Sequence, residues 1–284
     1  MSNNKDFEEE PPSYDHAIQT NDNAVYQYGK YKDATIDSYE RGEMFIQAFS
    51  SQIDCFPTDK VDQVRQHGFL RVMHIDNEPQ TNALYRHPQG QAFITDSQHR
   101  IRFWPQLRQV IPDHDVTAQG SHPFLTLEEY GSEYRQQTQH YFEITVEDVS
   151  KNAVVAIGLT TRPYPIFRMP GWNKFSVGYH SDDGHKFCDD ATGGQAFGPS
   201  WGRGDTVGCG YCPESGHVYF TKNGQMIDTA FWNLTRHYYF PSVGIDGPGV
   251  VQVNFGQLPF RFPVEHWAVP VSAKGLSFAG LAPG

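Results

Sequence analysis

The sequence is short of positive charge: 22 Lys and Arg stand against 33 Asp and Glu, a formal net charge of −11, and no basic cluster occurs. Neutralising phosphates takes clustered Lys and Arg, so the reading excludes nucleic acid and anionic lipid as electrostatic partners. Long apolar runs are also missing. Runs such as 153–159 fall far below the roughly 18–20 residues that cross a bilayer, and the opening MSNNKDFEEE lacks a secretory pattern. The expectation is a cytoplasmic protein with no transmembrane anchor. Cysteine is scarce as well. Cys55, Cys188, Cys209 and Cys212 are too few to staple 284 residues, so they are expected as reduced thiols.

Signatures of catalysis are lacking. No G-x-S-x-G or H-E-x-x-H occurs, and the glycines around 202–208 lack the Gly-Lys-Ser/Thr of a phosphate loop. Cys209-Gly210-Tyr211-Cys212 has C-x-x-C spacing, but it reads as a strand before Pro213 where a redox motif opens a helix, and no further pair completes a zinc site. His180, Asp182, Asp183, His185 and Cys188 fall close together, and Ser181-Asp182-Asp183-Gly184 reads as turn chemistry between strands. Neither a metal, a cofactor nor an enzymatic role is expected.

Turn formers and aromatics are abundant: 26 Gly, 19 Pro and 14% aromatic residues. From residue 80 onward short alternating segments are separated by turns, among them Arg100–Phe103, Tyr141–Glu147, Val154–Thr160, Phe175–Tyr179, Thr206–Tyr211, His217–Thr221, Gln225–Ala230, Phe240–Val243 and Val250–Phe255. Asn223-Gly224 predicts a tight hairpin, because both residues tolerate positive φ. With no β-α-β alternation, an antiparallel sandwich is favoured. Ahead of it, residues 37–53 and 59–66 carry helical spacing, with a start expected at Asp37-Ser38-Tyr39-Glu40. Residues 1–34 are polar and without periodicity, and are expected as a disordered tail.

The segments YFEITV (141–146), PGW (170–172), GYHSDDG (178–184), GP (198–199), GDTVGCG (204–210), VYFTKNG (218–224), FPSVGI (240–245) and VQVNFG (251–256) together resemble the SPRY (B30.2) family. Within it the chain resembles fungal PPxY-containing adaptors of Nedd4-type HECT ubiquitin ligases, with the Ran-binding-protein-M type next. The resemblance implies an all-β, bent antiparallel sandwich with short N-terminal helices, acting as a non-enzymatic protein-binding module whose loops form a shallow pocket. The expected layout is a tail over 1–34, a helical extension over 35–79 packed on the main domain, the SPRY domain over 80–262 with its best-matching core at 141–256, and a C-terminal tail over 263–284.

Against that resemblance the tail motif Pro11-Pro12-Ser13-Tyr14 acquires a use. A polyproline II segment is preorganised for WW domains, with Pro11 and Pro12 between their aromatics and Tyr14 in a second pocket. The implied function is to recruit a Nedd4-type ligase by PPSY and to bind cargo through SPRY loops. Such an adaptor serves ubiquitin-dependent trafficking of membrane proteins, reaching endosomes or the vacuole peripherally through partners. The alternative is a Ran-binding-protein-M-like scaffold in which PPSY is incidental. Aromatics in Pro/Gly-flanked loops and the polar turn supply the expected partner-binding residues: Tyr164, Phe167, Trp172, Asp182, His185 and Trp201.

Overall fold

The computed structural model describes residues 34–77, 92–96, 99–104, 114–130 and 139–266. Pro11, Pro12 and Tyr14, and almost all of both expected tails, lie outside the described residues. Within them two antiparallel sheets pack face to face, as the alternation and the resemblance led one to expect. One sheet runs β1 (Phe93–Thr95), β2 (Arg100–Phe103), β13 (Gly249–Asn254), β4 (His140–Val149), β9 (Thr206–Cys212), β10 (His217–Lys222) and β11 (Gln225–Phe231). The other runs β3 (Asp115–Gln119), β12 (Phe240–Asp246), β5 (Val154–Thr160), β6 (Ser176–His180), β7 (His185–Cys188) and β8 (Gln195–Ala196).

Period-two patterning explains the pairing of faces. Phe142, Ile144 and Val146 of β4 point the same way as Val207, Cys209 and Tyr211 of β9. They meet Val155, Ile157 and Leu159 of β5 and Val177 and Tyr179 of β6 in one core. Fully burying side chains of this size contributes roughly 1.5–3 kcal/mol each. Cys209 belongs to this core, and burial raises the pKa of its thiol far above the ordinary range. The β10–β11 hairpin turns at Asn223 (φ 52°) and Gly224 (φ 81°), the positive angles a two-residue turn demands.

Helix α1 (Ile36–Phe49) starts earlier than its charge pattern suggests, because the Thr35 hydroxyl accepts from the Ser38 amide at 3.1 Å and takes the cap. Its Phe45 and Phe49 join Ile53 and Phe175 in a satellite cluster. Helix α2 (Thr58–His67) and a further turn of helix, α3 (Phe69–Val72), insert Val61, Val64 and Phe69 into the main core. A last short helix, α4 (Leu127–Tyr130), meets them, the Arg65 guanidinium donating to the Glu129 carbonyl at 2.7 Å. Strands β3, β7 and β8 had no sequence signal. β3 reads DVTAQ, without alternation, and is buried throughout, since loop 161–175 and the 73–75 segment cover the edge it forms.

The interior also holds neutral histidines. His140 donates from Nε2 to the Leu125 carbonyl at 2.7 Å and stacks on Phe124 with ring centroids 4.5 Å apart. Burial lowers its pKa to about 4, against the Leu125 carbonyl and Glu129, which act the other way. His122, His180 and His217 are likewise lowered to about 4, chiefly by burial. A pKa below that of the unfolded chain means stability is full above about pH 6.5 and is lost as pH falls toward 4, because the unfolded state binds the extra protons. Urea midpoints should therefore fall steeply between pH 6.5 and 4.5. His140→Gln, which keeps a donor to Leu125 but does not titrate, should flatten that dependence by about one proton, or about 1.4 kcal/mol per pH unit. An unchanged slope in the variant would remove His140 from this account.

Candidate functional site

The segment from Thr161 to Phe175 joins β5 to β6, and it lies folded across the outer face of the six-stranded sheet. Small residues on that face let it approach. A Cβ at Gly178 would run into the Pro170 carbonyl oxygen, and one at Gly244 would stand 2.9 Å from Met169 Sδ. The segment is fastened to β3 by the Thr117 amide donating to the Ile166 carbonyl (2.7 Å) and the Thr117 hydroxyl donating to the Arg168 carbonyl (2.6 Å). Its own turn is closed by the Tyr164 hydroxyl, which donates to the Met169 carbonyl at 2.7 Å and accepts from the Asn173 amide at 3.3 Å. Helix α1 covers it from outside: the Arg41 guanidinium lies 3.6 Å from the centre of the Phe167 ring.

Where this segment ends its crossing, a cleft of about 200 Å³ remains open at one end of the sheet. Its apolar surface comes from Val154, Met169, Trp172 and Phe187. Four carboxylates border it. Asp115 and Asp246 are register partners on β3 and β12, and Asp182 and Asp183 sit on the β6–β7 turn. Among the described residues no Lys or Arg lines it. The remaining wall is His180, 2% exposed, whose ring stacks on Phe187 at 4.1 Å and whose Nε2 donates to the Pro170 carbonyl at 2.9 Å. Burial holds this imidazole neutral at pH 7 despite the nearby Asp182 and Asp183, so Nδ1 is left as an acceptor. Among the described residues the lining of the cleft is thus richer in acceptors than in donors.

The six residues expected to contact a partner separate in the structure. Trp172, at 6% exposure, and Asp182 both line the cleft. His185 stands one step behind it, its amide donating to Asp183 Oδ1 at 2.9 Å and its ring 3.1 Å from Asp183 Oδ2. Tyr164 (2% exposed) and Phe167 (0%) need correction: they fill the space between the crossing segment, the sheet and α1, and present no surface. Trp201, at 7%, belongs to the main core, 5.8 Å from the Tyr179 ring, and does not line the cleft. The physical reason is common to all three. Pro and Gly mark a segment as a loop, and a loop can still fold back onto a sheet.

Among the described residues no group of three or more His, Cys, Asp or Glu side chains is placed to hold a metal ion. None of the described helices is long and apolar enough to cross a membrane.

Comparison with known proteins gives this geometry a family context. Residues 139–258 match the SPRY domain family model. Protein ssh4 of Sclerotinia sclerotiorum is 41% identical over 138 residues, 48% of this chain and 26% of that protein. Ran-binding protein 9 of Xenopus tropicalis is 40% identical over 139 residues, 47% of this chain and 25% of that protein. The chain therefore spans about a quarter of the length of the curated relatives it matches. Among solved structures, the crystal structure of a human SPRY domain is 24% identical with a TM-score of 0.46, covering 60% of this chain and 98% of that one.

Proposed function

Starting from a chain that carries a SPRY domain at residues 139–258, a protein-interaction fold, we propose that it is a non-enzymatic adaptor. Its PPSY segment recruits a Nedd4-type ubiquitin ligase and its SPRY surface holds cargo. The observation that carries the reading is the joint presence of Pro11-Pro12-Ser13-Tyr14 and a SPRY domain similar to Protein ssh4 in one chain. Either alone says less: a PPxY recurs by chance, and a SPRY domain alone leaves open what is delivered to what. The interior chemistry supports a binding role. The Cys209 thiol is kept protonated by burial, and His140 and His180 are neutral and committed to backbone carbonyls.

Mechanistically such an adaptor raises effective concentration. Cargo held on the sandwich and ligase held on the tail meet as parts of one assembly, so ubiquitin transfer to cargo lysines becomes intramolecular. Lys5, Lys30 and Lys32 flank the motif and are candidate acceptors themselves. Localisation follows the partners: a cytoplasmic chain brought to endosomes or the vacuole by what it binds.

A second reading rests on the similarity to Ran-binding protein 9, in which the SPRY domain contacts a fixed complex and PPSY is incidental. Proximity labelling with the full chain separates them. The adaptor reading expects a Nedd4-type ligase together with membrane transporters or trafficking proteins, and loss of the ligase from the Tyr14→Ala sample. A catch confined to one soluble complex, unchanged by Tyr14→Ala, would favour the scaffold.

A further inference from the structure

The lining of the cleft is unusual in its imbalance. Asp115 and Asp246 have partners of their own, which leaves the turn carboxylates of Asp182 and Asp183 and an unprotonated imidazole nitrogen facing the opening. Asp182 makes no hydrogen bond to any described residue, and Asp183 takes up only its neighbour His185. His180 is buried with Nε2 committed to Pro170, and Nδ1 accepts from none of the described residues. Trp172 is also buried, and its Nε1–H is without an acceptor. Polar side chains this deeply buried are nearly always satisfied, so the His180 ring, 2% exposed and lining the opening with no described donor to its Nδ1, points to something that arrives.

We infer that the cleft is a subsite for one arginine side chain of an extended peptide segment contributed by a protein partner, an assignment that rests on the protein-binding reading above. The guanidinium donates to Asp182, Asp183 and His180 Nδ1 while its stem lies along Met169 and Trp172. Each part answers a feature of the site. Carboxylates and a free imidazole nitrogen call for a group made only of donors, which guanidinium is, and its planar fork suits paired acceptors. The aromatic floor favours the same group over an ammonium. A volume of about 200 Å³ is below the roughly 300–1,000 Å³ that holds a drug-sized ligand and suits one long side chain. A metal ion is the competing cation, and among the described residues no set of three ligands is placed for one.

The test uses the full chain labelled with ¹⁵N, because the Trp172 indole N–H is itself a reporter. N-acetyl-arginine N′-methylamide should shift that signal, and the citrulline counterpart, equal in shape and uncharged, should bind about tenfold more weakly or worse, the discrimination expected for charge-assisted bonds. Asp182→Asn with Asp183→Asn should cost about the same factor while leaving the urea midpoint in place, since both side chains sit on an exposed turn. Equal shifts from arginine and citrulline, or an Asn pair that binds as well as the parent, would overturn the assignment. So would a Trp172 signal that moves on Lys30→Ser with Lys32→Ser and no probe added, which would make the chain's own segment the occupant. A random peptide library separates the two levels of the claim. Selected peptides that bind but ignore the Asn pair sink this subsite and leave protein binding intact, whereas a library from which nothing binds removes the protein-binding reading itself.

Discussion

Gly178→Ala should lower the stability of the protein by about 3 kcal/mol, the upper end of what overpacking costs, and open the cleft at the same time. The residue stands on β6 directly beneath Pro170, and an added Cβ would be driven into the Pro170 carbonyl oxygen and lie 2.7 Å from its carbon. Those atoms are backbone, so no side chain can swing aside. Either the strand bends or the crossing segment lifts, and the second choice releases the carbonyl that His180 Nε2 bonds. For a domain of this size the change should appear as a melting point lower by about 6–12 °C. Gly202→Ala is the control, because nothing lies within 4 Å of the methyl it would add. Similar melting points for the two variants would mean that the segment is not seated on the sheet as described.

Much of the fold was legible because its signals are local. Alternation marks β4, β5, β9 and β10, and Asn223-Gly224 fixes the register between β10 and β11. Only tertiary context defines β3, whose DVTAQ carries no pattern and whose burial comes from the 73–75 and 161–175 segments lying over it. The cleft was legible in part. GYHSDDG placed Asp182 and Asp183 on a turn beside His180, and PGW placed Trp172 in the preceding loop. Asp115 and Asp246 could not be joined to them, since their pairing depends on which strands become neighbours across 131 positions of sequence, 246 minus 115. One signal was overlooked. Gly178 and Gly244 stand within strands where larger residues would add stability, the usual mark of a close backbone approach, and read that way they would have predicted that Tyr164 and Phe167 are covered.

The second large effect concerns the tail. A tyrosine seated in a WW pocket is an interface anchor, and anchors of that kind cost 2 kcal/mol or more when truncated to alanine. Tyr14→Ala should thus weaken ligase binding by about 30-fold or beyond. Pro12→Ala should weaken it too, because the ring both fills the groove and holds the extended conformation before binding. The adaptor reading gives neither residue a part in the sandwich, so the urea midpoint and the response of the Trp172 indole to arginine should stay at parental values. That independence is what an adaptor with two separate ends requires.

Calorimetric titration of the full chain with the WW domains of a Nedd4-type ligase, alongside Tyr14→Ala, tests the adaptor claim most directly. The account predicts micromolar binding by the parent chain and its loss in the variant; no binding by the parent, or equal binding by both, would contradict it.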